Sequence, residues 1–440
     1  MSMKKFYIET LGCPKNFNDS EYAAGVLLEN GYRETDDPTE ADYVIVNTCG
    51  FIGDAKKESI DKIFEMSNLK NENAKLIVSG CLAQRYAQEL SQELPEAQGF
   101  IGVEQYSNIH KIFESIEAGE EKVFVDSCNL DFLEKAVRKY KDNPYTSTIK
   151  IAEGCNNRCS YCIIPSIRGK YRSKSIEDIL LEAKELAKAG CKELVLIAQD
   201  VTYYGRDMYG KYALPDLLKE LVKIDGIEWI RLMYCYDDRI TDELIQVIAE
   251  EDKICNYLDI PIQHGSDKVL KEMNRNSTGE SIREIISKLR SAIPDIAIRT
   301  SLIVGFPGEN EDDFIDLMNL VEDIRFNRLG VFKYSLEEGT PAGDRKDQIS
   351  EELKESRYNS IMRRQLDISL ENNNKLVGTL QDVIVDFIDD DGSYVGRTRY
   401  DAPEIDNGVI FTADRELHPG DIVKVKITDA FDYDLVGTMV

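Results

Sequence analysis

Residues 146–162 read TSTIKIAEGCNNRCSYC, an apolar-alternating run, a glycine, and then Cys155, Cys159 and Cys162 within eight residues. A C-x3-C-x2-C spacing on one short loop supplies thiolates to three irons of a four-iron cubane and leaves the fourth iron free to bind something else. Such an open centre points to an enzyme. Working outward from the loop, TIKIAEG is the first of six runs that read as strands. ELVLIAQD, EWIRLMY, NYLDIPIQ, AIRTSLIVG and RLGVFKY follow, separated by helical stretches such as SIEDILLEAKELAKAG, SDKVLKEM and ESIREIISKLRSA. Repeated βα units close partly into a barrel whose active loops cluster at the carboxyl ends of the strands, and the cysteine loop follows the first strand. A partial (β/α)6 barrel is therefore expected over residues 145–370.

A second cysteine set lies upstream. Cys13 in ETLGCPKN, Cys49 in VIVNTCGFI and Cys81 in LIVSGCLAQ each follow a hydrophobic run of the kind that forms buried parallel strands. In an open α/β sheet, binding sites form at the strand ends, so three thiolates far apart in sequence could share one cluster there. The plainer reading of each alone is an ordinary buried thiol. With KFYIETLG and GFIGV as further strands, and DSEYAAGVLLENG, AKKESIDKIFEMSNL and SNIHKIFESIEAG as amphipathic helices, residues 1–140 read as an open parallel α/β domain. A looser stretch through Cys128 follows, and Asn143–Pro144 marks the break.

Residues 371–440, after the helical run EELKESRYNSIMRRQLDISLENNNK, change character. GTLQDVIVDFID, SYVGRTRY, GVIFTAD and DIVKVKITDAFDYDLVGTMV show period-two patterning with Gly and Asp turns, which predicts a small five-stranded antiparallel β-barrel of the OB-like kind. That shape often binds oligonucleotides. Here the segment carries fifteen Asp or Glu against six Lys or Arg, and the whole chain 81 against 54, for a formal net charge of −27. A field of that sign repels a phosphate backbone and suits a basic protein surface, so direct RNA contact is not expected. Arg168, Lys170, Arg172 and Lys174 form a local exception, whose plainer reading is a solvated loop entering a helix.

The 440 residues, 42% of them hydrophobic, suffice for two or three cores. No apolar run reaches membrane-spanning length, and MSMKKFYIETLG enters a strand directly, without a signal-peptide hydrophobic segment. A cytoplasmic, reducing setting is expected, with the ten cysteines as metal ligands or buried thiols and not as a disulfide framework. Cys128, Cys191, Cys235 and Cys255 lack a comparable constellation and are left out of the metal set.

CNNRCSYCIIPSIRGKYRS resembles the cluster loop of the radical S-adenosylmethionine enzymes, in particular their methylthiotransferase branch. The order of Cys13, Cys49 and Cys81, the repeated βα domain and a terminal barrel similar to that branch's TRAM domain extend the resemblance over essentially all 440 residues. LGCPKN with Asn16, Asp19, Ser20 and Glu21, then NTCGFIGDAKKES, resembles the members that modify a ribosomal protein. The transfer RNA members typically carry Gln and Met after the first cysteine and Arg shortly after the second, where this chain has Pro14, Lys15 and the uncharged FIG.

The resemblance implies two [4Fe-4S] clusters, one on Cys155, Cys159 and Cys162 and an auxiliary one on Cys13, Cys49 and Cys81. The first would bind S-adenosylmethionine and yield a 5′-deoxyadenosyl radical, able to abstract an unactivated C–H hydrogen. The second would hold the sulfur, with exogenous sulfide or polysulfide as its source, that is methylated and then transferred. The implied substrate is the β-carbon of a conserved aspartate in ribosomal protein S12, free or in the small subunit. Two S-adenosylmethionine molecules are used per turnover, with a flavodoxin- or ferredoxin-like electron donor. The alternative substrate is N6-isopentenyladenosine of transfer RNA.

Chemistry would then rest with the clusters and the cofactor, and no side chain is assigned as a catalytic acid or base; the chain has only three histidines, His110, His264 and His418. Tyr161, between the last two loop cysteines, resembles an aromatic position near adenine. Gln199, Gln263, Ser266, Arg275 and Thr300, at or after expected strand ends, are candidates for the methionyl, ribose and adenine contacts. His264 reads as orienting the loop around Gly265, and GFPGE (305–309) as a tight strand-to-helix turn. Asn16 and Asn47 beside the upstream cysteines read equally as backbone-capping amides.

Overall fold

The computed structural model describes residues 3–126, 138–140 and 144–440. Cys128 and Asn143 lie outside them. The chain divides into two compact units: Met1–Lys141 with Ala152–Lys174 and Ser335–Gly343, and Asp142–Ile151 with Ser175–Tyr334 and Asp344–Val440.

The first unit is built on six parallel strands: β1 (Lys5–Thr10), β2 (Arg33–Glu34), β3 (Tyr43–Thr48), β4 (Lys75–Gly80), β5 (Gly99–Ile101) and β6 (Val123–Phe124), in the order β2-β1-β3-β4-β5-β6. Every residue of YVIVNT in β3 is buried, as a strand covered on both faces requires. Tyr43 and Ile45 pack with α1 (Pro14–Glu29) and the later helix α4 (Ile109–Ala118), while Val44 and Val46 pack with α2 (Gly53–Leu69) and α3 (Cys81–Glu93). Strand order reverses between β1 and β3, and such switch points open a crevice at the carboxyl edge. The short strands β2 and β6 escape a pattern reading because two residues carry no periodicity.

The same unit contains the 152–174 segment. Ala152–Glu153 and Arg172–Ser173 pair as an antiparallel ribbon, and between them run the cysteine loop and the short helix α5 (Ile164–Arg168).

The second unit holds another six-stranded parallel sheet: β7 (Thr146–Lys150), β8 (Glu193–Ile197), β9 (Trp229–Leu232), β10 (Ile254–Asp259), β11 (Ala297–Val304) and β12 (Arg328–Lys333), hydrogen-bonded in sequence order. Each predicted strand is present, and consecutive pairing of parallel strands is what repeated βα units produce. Cys191, Cys235 and Cys255 are buried thiols of this unit.

Five further strands close into a barrel: β13 (Leu380–Ile388), β14 (Tyr394–Thr398), β15 (Val409–Thr412), β16 (Ile422–Ala430) and β17 (Leu435–Met439), in the order β13-β14-β15-β17-β16. Four of the five pairings are antiparallel. The fifth, β15 with β17, is parallel, because β17 closes the barrel beside a strand that is not its sequence neighbour. Val383, Val385, Phe411, Val425 and Ile427 fill its interior, whereas Phe387, Phe431 and Tyr433 are exposed.

Within this unit the sheet and barrel share a core. Val195, Ile197, Trp229, Tyr257 and Ala297 of the sheet pack with Ile384 and Ala402. Around it run buried ion pairs: Glu193 with Arg231 and Arg397, Arg328 with Asp401, and Arg299 with Asp259 and Asp406. Among the described residues no helix is long and apolar enough to cross a membrane.

Candidate metal centre

The upstream cysteines occupy equivalent places at the carboxyl edge of the first sheet. Cys13 lies three residues past β1 and is the N-cap of α1, with Pro14 at the first helical position, where its missing N–H costs nothing. Cys49 follows β3 directly, and its amide is held by the Ser59 hydroxyl at 3.0 Å, which in turn donates to the Cys49 carbonyl. Cys81 follows β4 and opens α3. Because β1, β3 and β4 are adjacent and in register, with Thr10 opposite Asn47 and Thr48 opposite Gly80, their three exits lie at one level. Two of the three thiols thus sit at helix N-termini, where the macrodipole favours negative charge.

Two glycines draw these exits together. A Cβ on Gly12 would stand 2.8 Å from Cys49 Cβ, and Gly12 itself adopts φ +90°. A Cβ on Gly50 would stand 2.9 Å from the Cys81 carbonyl carbon and oxygen and 2.8 Å from the Leu82 nitrogen. Each glycine marks a close approach that a side chain would prevent. The three thiols consequently feel one another. Burial, with Cys81 and Cys13 nearby, pushes the Cys49 thiol up to about 12. Burial also raises Cys81, against the opposing pull of Arg168.

The 155–162 loop is a second thiol centre in the same unit. Cys155 N donates to Gly169 O at 3.1 Å and Cys162 N to Cys159 O at 3.1 Å, so both ends of the triad are fixed by backbone. Ala342 N donates to Ser160 O at 2.9 Å, which brings the 335–343 segment onto the loop. Cys155 and Cys159 are buried and Cys162 half-buried. Burial, with Cys159 and Cys155 adjacent, pushes the Cys162 thiol up. Buried thiols that resist ionisation on their own give up their protons when a metal supplies the compensating charge.

Both sets fit an iron–sulfur cluster by donor chemistry: three soft thiols and no competing oxygen or imidazole ligand called for. Among the described residues, no three His, Cys, Asp or Glu side chains converge closely enough for a single metal ion. A cubane takes its thiolates one per iron at separate irons, a different demand.

Arg168, at the end of α5 and six residues past Cys162, reaches the upstream set and was not singled out by sequence reasoning for any such role. The expected solvated basic loop forms only in part: Lys170 is exposed, but Arg168 is 2% exposed and Lys174 4%. One guanidinium nitrogen donates to Asp19 at 2.8 Å and Glu153 at 3.2 Å. The other donates to Asn16 Oδ1 at 2.8 Å and to Cys81 Sγ at 3.3 Å. Arg172 pairs with Glu104, and Lys174 reaches the Tyr22 hydroxyl. A usable signal was present: Asn16, Asp19 and Ser20 are spaced i, i+3, i+4, so they share one face of α1, and that polar face is buried.

Asn16 also donates to the carbonyls of Leu11 and Thr48, and Asn47 to Asn16 O and Ser20 Oγ, so both amides brace the strand exits. Ile163 and Ile167 pack with Cys81, Val103 and Phe51 around the same point.

The remaining candidates divide between the units. Tyr161, half-buried, belongs to the first. In the second, half-buried Gln199 follows β8, and Gln263 follows β10 with φ +72°, bridging to Leu302 through its backbone. The Ser266 hydroxyl donates to Asp313 at 2.7 Å. Thr300 lies inside β11 and not at its end, and its hydroxyl donates to Ile260 O at 2.8 Å. Arg275 pairs with Asp237 at 3.0 Å and lies over the Tyr236 ring, 4.6 Å from its centroid. His264 accepts from Ser266 N through Nδ1, which leaves Nε2 to carry the proton toward Glu309, 3.7 Å away. It orients the loop, as its position suggested.

An open parallel α/β unit, a six-stranded parallel βα sheet with a triple-cysteine loop after its first strand, and a small closed barrel together define a radical S-adenosylmethionine enzyme. Family models agree along the chain: "Radical SAM superfamily" matches residues 149–321, "Uncharacterized protein family UPF0004" residues 5–102 and "TRAM domain" residues 377–440. Among solved structures, the radical S-adenosylmethionine methyltransferase TsrM from Kitasatospora setae, with cobalamin and a [4Fe-4S] cluster bound, shares the fold. Its TM-score is 0.56 at 13% identity, over 86% of this chain and 80% of that one. Proteins named ribosomal protein uS12 methylthiotransferase RimO are far nearer in sequence. That of Geobacter sulfurreducens is 48% identical over 99% of both chains. Those of Citrifermentans bemidjiense and Clostridioides difficile are each 49% identical over 99% of this chain and 98% of theirs. The chain belongs to this RimO family of radical S-adenosylmethionine methylthiotransferases, whose chemistry draws on a [4Fe-4S] cluster and S-adenosylmethionine.

Proposed function

We propose that this protein adds a methylthio group to the β-carbon of a conserved aspartate of ribosomal protein S12, using two [4Fe-4S] clusters and two S-adenosylmethionine molecules per turnover. The observation that carries the reading is the presence, in one compact unit, of two separate cysteine triads, with Arg168 from the helix that follows one of them donating to Cys81 of the other. One triad would serve radical formation only. A second accounts for a sulfur that must be stored, methylated and delivered.

Cys155, Cys159 and Cys162 would hold the cluster that supplies the electron for splitting S-adenosylmethionine into methionine and a 5′-deoxyadenosyl radical; Cys13, Cys49 and Cys81 would hold the one that carries sulfide or polysulfide. The chain's own part is positional. Backbone bonds at Cys155 and Cys162 fix the first triad, and Gly12 and Gly50 pack the exits that carry the second. Tyr161, Gln199, Gln263, Ser266, Arg275 and Thr300 are read as the cofactor-contacting set. Ser266 and Thr300 would act mainly by shaping the loop after β10, because their hydroxyls are engaged. A flavodoxin- or ferredoxin-like protein would supply electrons in the cytoplasm. S12 would be met free or in the small subunit, and the excess of acid in residues 371–440 favours a basic protein over RNA.

The test is mass spectrometry of anaerobic reactions with reductant and S-adenosylmethionine, offering S12 and isopentenyladenosine-containing transfer RNA separately. A methylthio gain on an S12 aspartate is the expected result. A gain on RNA alone would move the substrate to nucleic acid, and a gain on neither, with 5′-deoxyadenosine still formed, would reject both.

A further inference from the structure

The Arg168 guanidinium donates to a cysteine sulfur at 3.3 Å, and that sulfur belongs to the upstream triad. The contact is enclosed: Arg168 is 2% exposed and Cys81 5%. Its geometry is fixed from both sides, by Asp19 and Asn16 on α1 and by Glu153 on the ribbon strand that precedes the 155–162 loop. A planar fork bound at three other acceptors has little freedom to leave the fourth. Charge-assisted N–H donation to a thiolate draws electron density from sulfur and favours the more negative, reduced state of a cluster bound there.

We propose that Arg168 is a positioning residue for the auxiliary centre. Its donation to Cys81 holds that thiolate in ligating orientation and raises the reduction potential of the cluster on Cys13, Cys49 and Cys81. Because α5 begins two residues after Cys162, the same side chain ties the end of the radical-forming loop to a ligand of the sulfur-carrying centre. The inference rests on the reading that the upstream triad holds a cluster. It concerns the setting of that cluster, which the simple neutralisation of Asp19 and Glu153 by Arg168 would not require.

The test uses the full chain with Cys155, Cys159 and Cys162 all changed to Ala, so that only the upstream triad can bind iron. If this parent takes up no cluster on anaerobic reconstitution, the two-cluster reading itself fails and Arg168 is not at issue. In a parent that loads, potentiometric titration followed by electron paramagnetic resonance compares Arg168 with Arg168→Lys and with the paired change Arg168→Met and Asp19→Asn, which removes one charge of each sign. With iron content retained, the paired variant should be harder to reduce by roughly tenfold in the reduction equilibrium, about 59 mV for one electron. The lysine variant should shift in the same direction by less.

A reduction equilibrium within about twofold of the parent in both loaded variants overturns the proposal, because a purely structural ion would leave the potential in place. Loss of iron from both variants with an unchanged unfolding midpoint supports it, through the orienting role. Loss of iron together with the fold makes Arg168 a structural ion and overturns it.

Discussion

Arg168 in the first unit and Arg231 in the second are both buried guanidinium groups, yet their surroundings differ in kind. Arg231 donates to Glu193 at 2.7 Å and to the Arg399 carbonyl at 2.9 Å, and lies over the Tyr257 ring, 4.7 Å from its centroid. Glu193 also pairs with Arg397, which pairs with Asp386. Two cations and two carboxylates pair there, beside the single thiol of Cys255. Arg168 instead gives one of its bonds to a thiol sulfur that sits beside two further thiols. Closed ionic networks register packed elements, whereas a buried cation turned toward soft donors is placed for a group that binds them.

The largest effects should fall on the cysteines. Cys155→Ala should reduce 5′-deoxyadenosine formation to background, a loss on the order of 10⁶-fold or more on the scale of enzymatic acceleration. Cys13→Ala should abolish methylthio transfer while leaving measurable 5′-deoxyadenosine, read by chromatography of the same reactions. Equal loss of both products in both variants would erase the functional difference drawn between the triads.

Next comes the closed network. Glu193→Gln leaves Arg231 and Arg397 short of a counter-charge and should destabilise the second unit by about 3–5 kcal/mol, seen in denaturant titration, with iron content per folded chain unchanged. Its pH dependence has a definite sign. Burial works to raise the Glu193 carboxyl, but Arg397 and Arg231 outweigh it and hold it below the usual carboxylate range. A depressed folded value means that its stabilisation is complete above the unfolded carboxylate range and is lost as pH falls through the depressed folded value. Asp386 shifts upward, because burial outweighs Arg397 there, so it partly offsets Glu193 in acid. Wild-type stability minus that of Glu193→Gln should therefore shrink as pH is lowered.

Gly50→Ala sharpens the comparison from the other side. Its Cβ would meet backbone at Cys81 and Leu82 and should cost about 1–3 kcal/mol through forced displacement. Iron uptake by the upstream triad should fall more than uptake by the 155–162 loop. The smallest effect belongs to the exposed Lys424–Asp382 pair on the barrel, where Lys424→Ala should change stability by less than about 1 kcal/mol.

Much of this was legible before folding. All six strands of the second unit, the long strands of the first and the barrel strands follow from apolar runs and period-two patterns, and both cysteine sets follow from spacing and strand-end position. The short strands β2 and β6 were not legible, nor was the parallel pairing of β15 with β17, since neither leaves a periodic trace. Arg168 and Lys174 were misread because charged residues in a Gly- and Ser-containing loop ordinarily face water. Burial by α1 and the upstream strand exits is a property of residues distant in sequence. Thr300, a strand-end candidate, lies within β11, where the run AIRTSLIVG itself places it.

By itself the sequence determined what is local: which residues alternate, where glycine and proline interrupt, and that thiols recur at soft-metal spacing. Local sterics and donor chemistry act over a few residues and so can be read from a line of letters. Only the tertiary structure decided that Cys13, Cys49 and Cys81 leave adjacent strands in register, that Gly12 and Gly50 let those exits touch, and that Arg168 closes onto Cys81. Such contacts are set by which strands pair and by which charges become trapped between them once water is excluded.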